Sequence, residues 1–365
     1  MGHFSNTLPR RFHRRDFLKA GLALPGLAAA LAPLSLQNPW RTFEVSFRVE
    51  IIDASGLVRV WLPLPLARRS PYQRTVAEEW TGNAQTVRVE SDARSGATML
   101  GAVWPANSAE PALTLTVTVA TTSFRVALDD SRSVAAAGRT ELSRYLEPTD
   151  LIPTDGLVRE KALEITRAHR TPLARARAIY DWVVDNTFHD PAVKGCGLGD
   201  IRWMLATGSL SGKCADLNAL FVGLCRSVGL PARDLYGIRV AESREFKSLG
   251  RSGDVTTAQH CRAEVYVEPW GWIPVDPADV RKVALEERPG EHADDAHVRR
   301  AREMLFGAWE MNWIAFNDAH DVRLPESTGK PLPFLMYPQA EVGAIRRDSL
   351  DPSRFRYQIA ARQIA

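Results

Sequence analysis

Three residues in this sequence have the types and order needed for thiol chemistry on a carbonyl group: Cys214, His260 and Asp276. A cysteine attacks as its thiolate, and two local features favour that form at Cys214. It stands where a helix should open, so unpaired N–H groups and the positive end of the helix dipole face it, and Lys213 adds a formal charge. Asp216, in the first turn, opposes them. A histidine can hold the proton as imidazolium and later pass it to a leaving group. A carboxylate orients the far ring nitrogen of such a histidine. Each residue alone has a plainer reading: a packing cysteine, a strand histidine, a turn aspartate before Pro277. Their joint occurrence makes the chemical reading the stronger one.

The elements that must position them are legible. In GKCADLNALFVGLCRSVGLPAR, residues 212–233, apolar positions recur through Leu217, Leu220, Phe221, Leu224, Cys225 and Val228 at helical spacing. Gly229 supplies the left-handed cap and Pro231 forbids continuation. Few polar residues interrupt the run, so the helix should be buried on most sides. DLYGIRVA and HCRAEVYVEPWGWIPVDP read as strands. A turn near residues 269–271 would bring Asp276 back toward His260, with the register left open. Alternation places His260, Arg262 and Glu264 on one strand face. Cys261, Ala263 and Val265 share the other, expected to pack into apolar core away from Cys214.

Upstream, TFEVSFRVEI, LVRVWLPLPL, TVRVESD, ATMLGAVWP and ALTLTVTVATTSFRVAL alternate as strands and predict an all-β sandwich over residues 40–130. A linker follows over 131–155. LVREKALEITRAH and LARARAIYDWVVDNT then read as helices, the second opened by the Thr171–Pro172 pair. VKGCGLGD lacks the glycine spacing and preceding strand of a dinucleotide or phosphate loop, and in GSLSG Leu210 occupies the position of a nucleophilic serine.

At 365 residues, with 45% hydrophobic and 24% charged residues, the chain has room for two cores and the composition of a globular protein. His13 to Lys19, HRRDFLK, resembles a twin-arginine export signal ahead of an apolar run to Ala32, with cleavage after Ala30 or Ala32. Loss of residues 1–32 removes five basic residues and one acidic residue, turning the net charge of +3 into −1. Bulk charge therefore gives no reason to expect nucleic-acid binding, and no segment has the length of a dedicated membrane span. Four cysteines could form two disulfides, but Cys214 and Cys225 lie three helical turns apart on one helix and cannot bridge each other. If Cys214 stays a free thiol, at most one disulfide remains. In EHADDAHVRR, His292, Asp294, Asp295 and His297 lack the fixed spacing of a metal site and read as a solvated loop or helix start.

Residues from about 171 to 280 resemble the transglutaminase-like superfamily, whose fold is papain-like. TPLARARAIYDWVVDNT, GKCADLNALFVGLCRSVGLPAR, HCRAEVYV and GWIPVDP carry the resemblance, and WIAFNDAHDVRL extends it toward Leu324. It implies that Cys214 is the nucleophile, His260 the base and Asp276 its orienter. Two departures stand out. Arg262 replaces an aromatic residue common two places after the histidine, and its charge should alter the approach to the site. The oxyanion donor beyond the Cys214 N–H is not evident, with Trp182 and Trp203 as the candidates. Superfamily members include acyltransferases, peptidases, deamidases and catalytically silent proteins.

The resulting expectation is an α+β chain: a twin-arginine signal over 1–32, the β-sandwich, the linker, and a papain-like, transglutaminase-like domain with a C-terminal extension over 156–365. It would be a periplasmic or extracellular thiol enzyme acting on peptide or side-chain amides through a Cys214 thioester. Its partners would be peptides or proteins, cell-wall peptides among them, with no cofactor, metal or nucleic acid and no membrane span after signal removal. The rival is a silent binding or scaffold module of the cell envelope with the same fold.

Overall fold

The computed structural model of the protein describes residues 40–129, 137–288 and 295–365. The expected signal segment, residues 1–32, lies outside them. In β1 (Arg41–Ile51), Phe43, Val45, Phe47 and Val49 are buried in strict alternation. β2 (Val58–Pro63), β3 (Gln73–Gly82), β4 (Thr86–Ser91), β5 (Thr98–Trp104), β6 (Ala112–Thr121) and the short β7 (Phe124–Arg125) follow. Leu113, Leu115, Val117 and Val119 of β6 are buried, and their register brings Leu115 opposite Phe47 and Val117 opposite Val45. Each such side chain contributes about 1.5–3 kcal/mol relative to exposure. β3 is absent from the strand reading because its residues are mostly exposed, Val76 and Trp80 included, and show no apolar alternation. Its pairing with β6, through a register shift between Thr75 and Ala77, is specified by backbone hydrogen bonds.

The middle of the chain is helical: α1 (Arg139–Ser143), α2 (Gly156–Thr166) and α3 (Pro172–Asn186). Thr171 caps α3, its hydroxyl accepting from the Ala174 N–H at 3.2 Å. Next come β8 (Phe188–His189), α4 (Ile201–Thr207) and β9 (Ser211–Gly212), which delivers the chain to α5 (Cys214–Ser227). Every residue of α5 is buried. Gly229, at φ +82°, ends it while the Leu230 N–H bonds the Cys225 carbonyl at 3.0 Å.

β10 (Ala232–Arg239), β11 (Gly253–Asp254), β12 (Gln259–Val267) and β13 (Gly271–Val275) come next, followed by α6 (Pro277–Glu287) and α7 (Ala296–Met304). β14 (Ala308–Trp309), β15 (Trp313–Asn317), β16 (Gln339–Val342), β17 (Ile345–Arg346) and β18 (Phe355–Gln363) complete the chain. A four-stranded sheet in the order β13-β12-β10-β15 lies against α5, where Ala263 and Val265 share a cluster with Leu220, Phe221 and Leu224. Two five-stranded sheets, β11-β18-β1-β6-β3 and β17-β16-β2-β5-β4, are antiparallel throughout. Phe47, Leu115 and Ile359 of the first share a core with Val60 and Leu100 of the second, joined by Ile314 of β15. The last strands of the chain thus cover edges of β1 and β2 that would otherwise be unpaired, and the described residues fall within one compact unit. The structure is mixed α and β, dominated by antiparallel sheets.

Candidate active site

Cys214 is the first residue of α5, so its own N–H has no acceptor within the helix. Asp216, two residues on, does something the sequence did not suggest. Its carboxylate accepts from the N–H groups of Lys213 (2.9 Å), Leu198 (3.0 Å) and Gly199 (2.9 Å). It therefore pins the glycine-rich loop over the first turn of the helix. The Ala215 N–H donates to the Cys196 carbonyl at 2.9 Å, which sets Cys196 beside Cys214. Gly197 sits at φ +89°, and a Cβ there would overlap the Asp216 carboxylate. Gly197→Ala is expected to destabilise the fold by about 1–3 kcal/mol from the backbone alone, with the overlap adding to it. A melting temperature unchanged from the parent would show that the loop is not seated in this way.

His260 lies near the start of β12, opposite Gly237 of β10. β13 pairs with β12 in the register Ala263–Val275, which carries Asp276 back to the histidine. His260 Nε2 is 2.7 Å from Asp276 Oδ2. Asp276 also caps α6, its Oδ1 accepting from the Asp279 N–H at 3.1 Å. Asn218, one turn along α5 from Cys214, donates to the Cys261 carbonyl at 2.8 Å and lies 3.4 Å from Asp276 Oδ1. This amide ties the Cys214 helix to the strand and to the carboxylate.

A second carboxylate shares the histidine. Asp279 Oδ2 is 3.4 Å from His260 Nε2, and Asp279 Oδ1 accepts from Arg239 at 2.6 Å. All of these groups are buried. Burial and the Arg239 charge act to lower the His260 pKa, but Asp279 and Asp276 outweigh them and raise it to about 10. Burial works against ionisation of Asp279 as well, yet Arg239 and then His260 hold its carboxyl well below the usual range. The imidazole is therefore protonated at neutral pH.

The thiol has moved the opposite way. Hydrogen bonds from Cys196 and Cys261, and then the His260 imidazolium, hold Cys214 well below the usual thiol range against the effect of burial. Cys225, buried inside the helix, is pushed up, and so are Cys196 and Cys261. All four cysteines are free thiols. The contact with Cys261 corrects one expectation. Ala263 and Val265 do enter the apolar core, but Cys261, on the same face, packs with Cys214. His260 and Cys261, neighbours on β12, both bond the Cys214 sulfur.

Arg262 also differs from expectation. It is 2% exposed, with its guanidinium over the rings of Trp309 (5.4 Å) and Trp313 (4.9 Å). It donates to the Glu310 carbonyl at 3.0 Å and its Nε lies 3.8 Å from Asp276 Oδ2. Arg262 thus stands behind the carboxylate and leaves the approach to Cys214 alone. Trp182 packs against the helical core, and Trp203 is 54% exposed beside a different hollow. Neither lines the cavity at Cys214.

That cavity measures about 560 Å³ and is walled by Cys196, Lys213, Cys214, Gln259, His260 and Asp279 among others. Lys247, Arg251 and Lys282 add positive charge to it. His260, Asp276 and Asp279 bring potential metal ligands within 4.8 Å of one another. A divalent cation there would sit against Arg239 and Arg262, which already balance the two carboxylates, so the set fits an imidazolium better than a metal. In the other candidate cluster, His292 and Asp294 lie outside the described residues. Asp295 caps α7, and His297 Nε2 is 2.7 Å from Glu287.

Sequence reasoning missed Asp279, Asn218, Cys196 and Gln259. Only Asp279 left a signal, three residues after Asp276 in the first turn of a helix, where a carboxylate suits the dipole.

Residues 159–277 match the model of the transglutaminase-like superfamily. An uncharacterized protein of Haemophilus influenzae is 33% identical over 327 residues, spanning 85% of this chain and 88% of its own length. The uncharacterized protein YebA of Bacillus subtilis is 23% identical over 269 residues, 69% of this chain but 34% of that protein. Among solved structures, a candidate cysteine protease of Cytophaga hutchinsonii superposes with a TM-score of 0.56 at 14% identity, covering 89% of this chain and 91% of that one. The periplasmic domain of TgpA from Pseudomonas aeruginosa is a more distant likeness, with a TM-score of 0.33 at 17% identity over 70% of this chain and 92% of that one. No helix among the described residues is long and apolar enough to cross a membrane. With a family match that runs from α2 to the start of α6 and takes in Cys214, His260 and Asp276, this chain carries a domain of the transglutaminase-like superfamily over residues 159–277.

Proposed function

We propose that the protein is a thiol enzyme that acts on peptide or side-chain amides through a thioester at Cys214, with hydrolysis or transfer to an amine as the second half. The observation that carries this reading is a thiolate-favouring cysteine and a protonated histidine at the wall of one cavity. In the mechanism, Cys214 Sγ attacks the carbonyl carbon and the carbonyl electrons move to oxygen. Collapse re-forms the carbonyl and breaks the C–N bond, and the leaving amine takes the proton from His260. Asp276 and Asp279 hold the imidazolium in place. Water or a second amine then returns a proton to His260 as it cleaves the thioester.

Lys213, Lys247, Arg251 and Lys282 outnumber Glu286 and Glu287 around the cavity, which supports a peptide that carries carboxylates, cell-wall peptides among them. HRRDFLK supports export by the twin-arginine route to the periplasm or beyond. The shared core of the two five-stranded sheets supports a β-sandwich built on residues 40–130 and completed by the last strands.

Alkylation by iodoacetamide, read by peptide mapping across pH, tests the thiol assignment. Cys214 is expected to react first, at a rate nearly flat through neutral pH, with Cys225 inert. Equal reactivity of all four cysteines, or first reaction at Cys196, would put the silent-module reading ahead.

A further inference from the structure

Gln259 is 9% exposed, and its side-chain Nε2 is buried with no hydrogen-bond partner. A buried donor without an acceptor costs about 1–3 kcal/mol, and polar groups left in that state call for an explanation. The position of this one supplies it. Gln259 precedes His260 on β12, and by strand alternation its side chain shares the face of Cys261, which touches Cys214. It lines the same cavity as Cys214. The Gln259 carbonyl accepts from the Cys196 thiol at 3.4 Å, so the backbone of the residue is fixed beside the glycine-rich loop. The Cys214 N–H, at the first position of α5, is itself free of an intrahelical acceptor.

We propose that Gln259 is a catalytic residue whose Nε2–H, together with the Cys214 N–H, binds the oxygen of the tetrahedral intermediate. The assignment rests on the thioester reading above and adds to it the donor that neither Trp182 nor Trp203 can supply. When the Cys214 sulfur bonds the carbonyl carbon, the carbonyl π electrons become a full charge on oxygen. Two N–H groups that had no acceptor before the attack then gain a charged one, so the stabilisation develops with the oxyanion. A second unpartnered nitrogen, Nδ1 of His189, also borders the cavity. His189 is only half-buried and can turn to water, which makes its lack of a partner less costly.

The test compares two reactions of the same sulfur. Acylation of Cys214 by p-nitrophenyl acetate passes through an oxyanion, whereas alkylation by iodoacetamide does not. Gln259→Ala is expected to slow acylation, read as first-turnover p-nitrophenolate release and an acetyl-mass gain, by roughly 10²-fold. Alkylation at Cys214 and the melting temperature should stay at parental values. Gln259→Met, of similar size but uncharged and without the N–H, should show the same selective loss. Acylation unchanged in Gln259→Ala, acylation and alkylation falling together, or a selective loss in His189→Ala instead, would overturn the assignment. Failure of the parent protein to acylate at Cys214 would overturn the thioester reading and this assignment with it.

Discussion

Cys214→Ala is expected to abolish turnover, by a factor on the order of 10⁶ if the protein behaves like other enzymes that lose their nucleophile. The fold should survive with some loss of stability, because residue 214 packs among small and apolar side chains, Ala215, Leu217 and Cys261, while the Cys196 and Cys261 thiols and the His260 ring lose the sulfur they bond. Cys214→Ser should be almost as inactive, for a reason particular to this site. With the His260 pKa raised to about 10, its imidazole is already protonated at neutral pH and cannot take a proton from a serine hydroxyl. Only a nucleophile that has already given up its proton works here. Turnover of p-nitrophenyl acetate, intact mass after exposure to it, and a melting curve together decide the matter. Catalysis persisting in Cys214→Ala would end the thioester mechanism.

Asp276→Asn is expected to lower the acylation rate by about 10³-fold, less than the ~10⁴-fold seen when a triad with a single carboxylate loses its charge. The difference comes from Asp279, whose second oxygen lies 3.4 Å from the same ring nitrogen and can hold part of the imidazolium. Asparagine remains a good N-cap, so α6 should keep its start. The sign of the pH effect follows from the charges. Removing one carboxylate lowers the His260 pKa, and a less persistent imidazolium lets the Cys214 pKa rise. The alkylation profile of Cys214 should therefore shift to higher pH. An Asp276→Asn protein with parental acylation and an unmoved profile would reassign the orienting role to Asp279. The double variant with Asp279→Asn should also leave Arg239 buried without a charged partner, so its stability must be measured alongside its rate.

The Cys214 helix, the His260 strand and the return to Asp276 were all readable because their cues are local. Helical spacing, a C-terminal glycine and the Thr171–Pro172 start depend on residues a few positions apart, and the structure has those elements. β3 was hidden because an exposed strand has no apolar alternation to reveal it. β18 was hidden for a different reason: what it does, pairing with β1 from the far end of the chain, has no local sign.

By itself, then, the sequence determined which residue types could meet, Cys214, His260 and Asp276, and the kind of element that carries each. Only the tertiary structure decided what surrounds them. Asp279 shares the histidine because α6 starts where β13 ends, and Arg239 balances it from a different strand. Arg262, read as a charge at the mouth of the site, turned out to lie behind Asp276 because tryptophans of the β14–β15 segment take its guanidinium. Gln259 Nε2 was left buried without a hydrogen-bond partner, which no local pattern announces. Local periodicity fixes the direction of a side chain relative to its own element. Its partners and protonation state depend on burial and on charges distant in sequence, and these exist only once the sheets and helices have packed.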